Sequence, residues 1–493
     1  MCSGLLIPYF SGQRTQGQLQ SQQAQQFDKY CRVSPQAAKE KETLRLSANK
    51  GNKEAKARYQ QLVKQDAQSL QDCRGVNWPQ VQAIWLRLYP CDTQPGAIDK
   101  IMDKIANRGY NQVYLEVFYD GKVLLPSVDN PTAWPSVIRN PRARNIDLLS
   151  KAIQKGRERG LKVYAWMFTQ NFGLSYAKRQ DRDGAIARNG KGQSSLYVLN
   201  DASGVFIDPY NEQARRDYSV MVREILRRNP DGLLFDYVRY PRQTGMNSIA
   251  TRVTDLWLYS DATQQALFRR AKNNQGLDLI RRFLDRGYVT KTDITQVAKL
   301  YPHESEPMWS GRSTYFQQTF GAKLSGKNRL LTPAKIQPQL QNELWLLSVA
   351  HAMQGILDFV AIASLPAQEL GLSTGAVFFP EGNEVIGKGY DSRLQPWDKF
   401  PSSMEWHPMA YADCGNTKCI TAQVQRVLSM AKPGTQVIPV IAGTWGKSIS
   451  SRLPLEQQMR SLEKLAPQIQ GVSHFAFSWQ FPEHDGERKF CKE

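Results

Sequence analysis

The segment Asp231-Gly-Leu-Leu-Phe-Asp-Tyr-Val-Arg-Tyr-Pro241 ends a short apolar run, Leu233 to Phe235, in an acid, Asp236, with aromatic and cationic residues directly behind it. An unpartnered buried carboxylate is costly, so such an acid belongs where solvent or substrate reaches it, or in a salt bridge with Arg239 or Arg242. Other polar residues recur where apolar runs end. Glu116 and Asp120 close the second run, Gln170 and Asn171 the third, Glu381 and Glu384 the fifth. Glu405, His407, Tyr411 and Asp413 mark the sixth, and Trp479, Glu483 and His484 the eighth. The set is rich in carboxylates and aromatics and has no Ser-His-Asp order. Paired carboxylates are what glycosidic cleavage requires: one acid protonates the leaving oxygen, and the other attacks the sugar or activates water. Burial can raise one pKa while a neighbouring arginine lowers the other, so Asp and Glu alone suffice.

Within this set Asp236 is the expected nucleophile or charge stabiliser. Glu381, closing strand five directly after Pro380, is the expected acid/base, and Asp413 is its rival. Glu116, Asp120, Arg239, His407, Tyr411 and Trp479 are expected along the sugar subsites, with a packed structural histidine as the equal reading of His407. The chemistry requires no metal and no organic cofactor. Gly382-Asn-Glu-Val-Ile-Gly-Lys-Gly389 looks like a phosphate loop, but Gly389 stands where a magnesium-holding Ser or Thr belongs.

These residues converge only if the elements carrying them do. Strand patterns at Ala83–Tyr89, Gln112–Phe118, Leu161–Phe168 and Gly232–Asp236 alternate with helical stripes such as Ile98, Ile101, Met102 and Ile105. The rhythm resumes at Ala376–Phe379, Met404–Tyr411, Val437–Ile441 and Val472–Trp479. Eight strands alternating with helices predict a (β/α)8 TIM barrel, whose chemistry sits at the C-terminal ends of its strands. Residues 1–33 read as a flexible segment and 34–80 as a helical hairpin broken near Gly51. The barrel then occupies 81–493, with a mainly helical insertion at 243–340. That insertion leaves from strand four and is expected at the mouth as a lid, a groove wall with Trp257 and Trp309, or a decoration.

Composition narrows the partners. A net charge of +19, from 64 Lys and Arg against 45 Asp and Glu, attracts polyanions. Zinc-finger spacing and RNA-recognition signatures are missing, which disfavours nucleic acid; anionic lipid headgroups or an acidic envelope polymer fit the charge, and the carboxylates point to a polysaccharide as the expected partner. No uninterrupted apolar run suggests a membrane-spanning helix, and Gly4–Phe10 is short for a secretory core, so no export signal is visible. Of seven cysteines, Cys414 and Cys419 bracket a short loop, Cys31 and Cys73 flank the hairpin, and Cys91 and Cys491 form a third pair; Cys2 remains. Three disulfides fit an extracytoplasmic compartment; seven reduced thiols would fit the cytosol.

Four ordered motifs resemble the glycosyl-hydrolase-like ten family of bacterial envelope proteins. They are Val117-Phe-Tyr-Asp-Gly-Lys-Val-Leu-Leu-Pro-Ser127, Arg159-Gly-Leu-Lys-Val-Tyr-Ala-Trp166, Ile207-Asp-Pro-Tyr-Asn-Glu-Gln-Ala-Arg-Arg-Asp-Tyr218 and the Asp231–Pro241 segment. Beyond strand four the likeness thins to Pro408-Met-Ala-Tyr411. The resemblance implies a (β/α)8 barrel in the cell envelope acting on peptide-stripped glycan strands of peptidoglycan. The chain departs from the family pattern at Glu116, often Gln, at Tyr164, often His, and at Phe235-Asp-Tyr, where many members have two acids in a row. A catalytically silent barrel that binds glycan is the alternative.

Overall fold

The computed structural model describes residues 28–199, 204–304, 306–312, 333–411 and 414–491. Eight parallel strands form its centre: β1 (Val81–Leu86), β2 (Gln112–Tyr119), β3 (Lys162–Phe168), β4 (Gly232–Asp236), β5 (Ser373–Phe378), β6 (Glu405–Pro408), β7 (Val440–Ala442) and β8 (Gly471–Phe475). They pair in the order β6-β5-β4-β3-β2-β1-β8-β7. Parallel bridges Trp406–Val437 and Met409–Val440 join β6 to β7 and complete the circuit. Every residue of β2 is buried, as expected of a strand covered by helices outside and side chains inside. The expected barrel is therefore the fold.

The barrel interior is packed rather than hollow. Trp85 lies edge-on to Trp166 and Tyr114, with ring centroids 4.7 and 4.9 Å apart, and Tyr114 meets His407 at 5.3 Å. This aromatic layer forms a floor beneath the strand C-termini. Gly375 makes room for it, because a Cβ there would come within 2.8 Å of His407 Nε2.

Outside run α1 (Pro35–Asn49), α2 (Lys53–Val76), α3 (Ala97–Asn107), α4 (Leu148–Arg157) and α5 (Glu212–Leu226). Helix α3 buries the stripe predicted for it, Ile98, Ile101, Met102 and Ile105. Gly109 follows it at φ +77, and any Cβ there would collide with the carbonyls of Tyr30 and Cys31. The α1–α2 hairpin docks through buried polar contacts: Tyr59 Oη donates to Asp103 at 2.7 Å, and Arg74 donates to the Gly109 and Pro79 carbonyls. The cysteine pairs Cys31–Cys73, Cys91–Cys491 and Cys414–Cys419 are joined as disulfides, with Cα atoms 5.8, 6.4 and 6.4 Å apart. Cys2 lies outside the described residues.

After β4 come α6 (Asp261–Phe268), α7 (Asn274–Arg286), α8 (Lys291–Leu300) and α9 (Pro333–Glu369). The insertion boundary expected at Leu340 falls inside α9, which packs on α5, β4 and β5 and serves as the barrel helix between β4 and β5. Helix α9 is long and apolar enough to cross a membrane by length and composition, and half of its most apolar window is buried in the fold. The sequence reading missed it because apolar residues surround the helix instead of forming one stripe, and Pro338 and Pro366 interrupt the run. Trp257 and Trp309, expected along a groove wall, are 1% and 3% exposed and belong to the core. The barrel is completed by α10 (Thr417–Met430) and α11 (Leu455–Leu465).

Candidate active site

Asp236 is the last residue of β4, and the chain turns sharply behind it. Tyr237 holds φ +52, a left-handed conformation that bulky residues rarely adopt. The turn aims the Tyr237 amide back at Asp236, to whose Oδ1 it donates at 2.6 Å. The Trp166 indole of the aromatic floor donates to Asp236 Oδ2 at 3.2 Å. No ion pair links Asp236 to Arg239 or Arg242 among the described contacts, so the salt-bridged alternative for this acid does not hold. Arg239 instead lies 4.5 Å from the Tyr237 ring centroid and donates to the Tyr240 carbonyl at 3.0 Å. Burial pushes the Asp236 carboxyl above the ordinary carboxylate range, against the pull of the Tyr237 amide, Arg239 and Trp166.

Glu116, on β2, is 1% exposed. Arg87, the first residue past β1, grips it with two donors, Nε to Oε2 and Nη2 to Oε1, the latter at 3.0 Å. Burial pushes the Glu116 carboxyl up to about 7 against the pull of Arg87, and the Asp120 and Asp236 charges add to the rise. Asp120 sits in the turn after β2 at φ +48, its Oδ2 4.0 Å from Arg87 Nη1. Tyr411 follows β6 and packs on Phe475, centroids 5.6 Å apart. Burial and then the Asp236 charge push its hydroxyl up, so Tyr411 stays a neutral donor beside the acid. Arg452 donates to the Tyr411 carbonyl at 2.9 Å and lies 5.3 Å over the Trp479 ring, tying that indole to the edge of the mouth. Trp479 itself sits in a short helix, Phe477–Gln480, rather than in the strand expected to reach it.

The remaining expected residues divide. Glu381 follows β5, with its side chain 37% exposed and its Oε1 3.4 Å from Arg393, which Asp391 also holds. Contacts from Glu381 toward Asp236 run through Arg393, Phe379 and Arg239: both guanidiniums lie over the Phe379 ring, at 4.4 and 5.5 Å. No hydrogen bond joins the two acids among the described residues. His407 is fully buried in the aromatic floor with Nε2 3.2 Å from Glu405, so it packs the barrel instead of lining a subsite. Asp413 lies outside the described residues.

Three contributors escaped the sequence reading: Arg87, Trp166 and Tyr237. Extending strand one to Tyr89 hid Arg87 inside an element, although an arginine at the end of an apolar run was a usable signal. Trp166 lies inside the third strand pattern, and only strand register brings it beneath Asp236, since Phe168 pairs with Asp236. Among the described residues no cluster of His, Cys, Asp and Glu has the makings of a metal site. The arrangement supplies a buried acid with a raised pKa, a neutral tyrosine hydroxyl and aromatic walls. It can hand a proton to an oxygen held above the floor.

Residues 72–283, running from the end of α2 through β4 into the insertion, match the model of the family described as "Glycosyl hydrolase-like 10". No curated protein matches the chain. Among solved structures it resembles the PgaB (BpsB) glycoside hydrolase domain from Bordetella bronchiseptica at 16% identity, with 84% of this chain and 99% of that one covered and a TM-score of 0.45. It also resembles a GH18 chitinase from Pseudoalteromonas aurantia at 10% identity, covering 83% and 97%, with a TM-score of 0.35. A GH20 exo-β-N-acetylglucosaminidase from Vibrio harveyi is 9% identical, with 84% of this chain and 53% of that chain covered and a TM-score of 0.38.

Proposed function

We propose that this chain, matched over strands one to four by the glycosyl-hydrolase-like ten family, is an extracytoplasmic glycoside hydrolase whose mouth takes a glycan strand, peptide-stripped peptidoglycan first. The observation that carries this reading is Asp236: a carboxyl at the end of β4, held by Trp166 and the Tyr237 amide, with its pKa raised by burial. A raised pKa suits an acid that carries its proton into the reaction better than a permanently ionised nucleophile, so the role assigned to Asp236 shifts to proton donor. Its proton passes to the glycosidic oxygen as the bond from that oxygen to the anomeric carbon breaks. Water supplies the hydroxyl that ends on the anomeric carbon, and its remaining proton restores the acid–base pair.

Glu381 is proposed as the second carboxylate. It is more exposed than Asp236 and Glu116 and follows β5, the strand paired with β4. In that role it must leave Arg393 when substrate binds. Glu116 and Arg87 form a hydrogen-bonded pair that sets the field around Asp236, and Tyr411, Arg239 and Trp479 contact sugar. Three disulfides support the extracytoplasmic placement, since cytosolic thiols are kept reduced.

The test is product analysis of purified peptidoglycan, intact and peptide-stripped, incubated with the protein. Release of soluble fragments with new reducing ends, faster from the stripped glycan, is the expected result. Tight glycan binding with no new reducing ends would instead identify a barrel that only binds glycan.

A further inference from the structure

On the outer side of the barrel, a cleft of about 770 Å³ opens between α1 and α3, bounded at one end by Phe481. Helix α3 starts after the C-terminal end of β1 and returns to the start of β2 at Gln112, so the cleft runs along the barrel's outer side. Its volume is in the range of small-ligand sites, roughly 300–1,000 Å³.

The charges lining it do not cancel. Its three acids are each committed to a partner of their own. Asp28 accepts from Arg32 Nε at 2.6 Å, Glu42 takes both donors of Arg45 at 2.9 and 2.8 Å, and Asp103 is held by Arg159 and Tyr59 at 2.8 and 2.7 Å. Lys100, Lys104 and Arg108, spaced four residues apart on one face of α3 and its cap, make no side-chain ion pair among the described contacts. Consecutive members stand about 6 Å apart along the helix at 1.5 Å per residue. Lys104 and Arg108 both lie over the Phe481 ring, 5.2 and 5.6 Å from its centroid, which fixes their heads at the cleft. All three cations are half-buried, and burial together with the neighbouring Lys100 and Arg108 charges depresses the Lys104 ammonium against the pull of Glu42 and Glu487. The Glu42 charge, already taken by Arg45, and the Glu487 charge offset this half-buried row of three cations only in part, so an anion bound there would stabilise it.

We propose that this cleft is a second binding site, separate from the mouth, for consecutive anionic groups, phosphate or carboxylate, of a linear envelope polymer. Such a site would hold the protein on an anionic matrix while the mouth stays open to its glycan. It is independent of the chemistry assigned to Asp236.

The experiment is binding of the full chain to polyphosphate, to polygalacturonate and to a neutral chito-oligosaccharide at about 0.15 M salt, with the variant Lys100→Gln/Lys104→Gln/Arg108→Gln alongside. The expected result is that the parent binds at least one polyanion and the variant binds it at least tenfold more weakly, with a shallower salt dependence. Binding of the neutral oligosaccharide should not change. The variant Lys100→Arg/Lys104→Arg keeps the charge and should bind like the parent, which separates loss of charge from loss of fold. The two polyanions distinguish a phosphate from a carboxylate ligand. Polyanion binding equal in parent and Gln variant, or absent in both, would overturn the site. So would loss of binding in the Arg variant.

Discussion

Asp236 and Glu116 are both buried acids of the mouth, yet their surroundings differ in kind. Neutral donors, an indole and a backbone amide, hold Asp236, whereas Glu116 is held by a full charge, Arg87. A group held by neutral donors can keep its proton without losing its contacts, which is why the acid role falls to Asp236. Glu116 makes a separate prediction. Its folded pKa of about 7 exceeds the ordinary 4.5, so between those values the folded state binds the extra proton. Its contribution to stability is therefore full below about pH 4.5 and is lost as pH rises through about 7. Urea unfolding of Glu116→Gln should show a weaker fall in stability from pH 5 to pH 8 than the parent; an identical fall would place the titration elsewhere. At this scale the sequence showed which acids end strands, but not what each one touches. The apolar run into Asp236 was plain in the chain, while Arg87 and Trp166 reach it only through strand register.

The strands and the helices with a one-sided stripe were legible because burial leaves a period in the sequence. Helix α3 shows it: all four residues of its stripe are buried. Helix α9 was not legible, since it packs on β4, β5 and α5 on one side and the insertion on another, and a helix covered on several sides carries no stripe. The same principle corrects the expectation for the insertion. Its tryptophans looked like sugar platforms in the chain, but Trp257 and Trp309 fill the core under α7 to α9. Trp257→Ala should therefore cost about 3–5 kcal/mol of stability, the usual range for emptying a large aromatic from a core. It should leave the ratio of polymer to oligosaccharide affinity unchanged in whatever fraction stays folded. Chemical denaturation and binding of both ligands check this; an unchanged stability with selectively weakened polymer binding would return Trp257 to a groove.

As a whole the molecule is a basic barrel with distinct faces. Strand C-termini gather acids and aromatics at one end, and the α1–α2 hairpin with α3 presents cations along the outer side. Disulfides secure the hairpin at Cys31–Cys73 and the C-terminal segment at Cys91–Cys491. The barrel could be read from the chain by counting alternations. The cationic cleft could not, because it depends on which carboxylates are already spoken for. What this barrel does rests on one acid. The most direct measurement is the rate of reducing-end release from peptide-stripped glycan by Asp236→Asn and by the parent, with glycan binding and unfolding followed on the same samples. Asn keeps the shape, and its one oxygen can accept from Trp166 or from the Tyr237 amide, so the variant should fold and bind glycan. Turnover should fall by roughly 10²–10⁴-fold, the share that a general acid contributes. Near-parental turnover by Asp236→Asn would contradict the account.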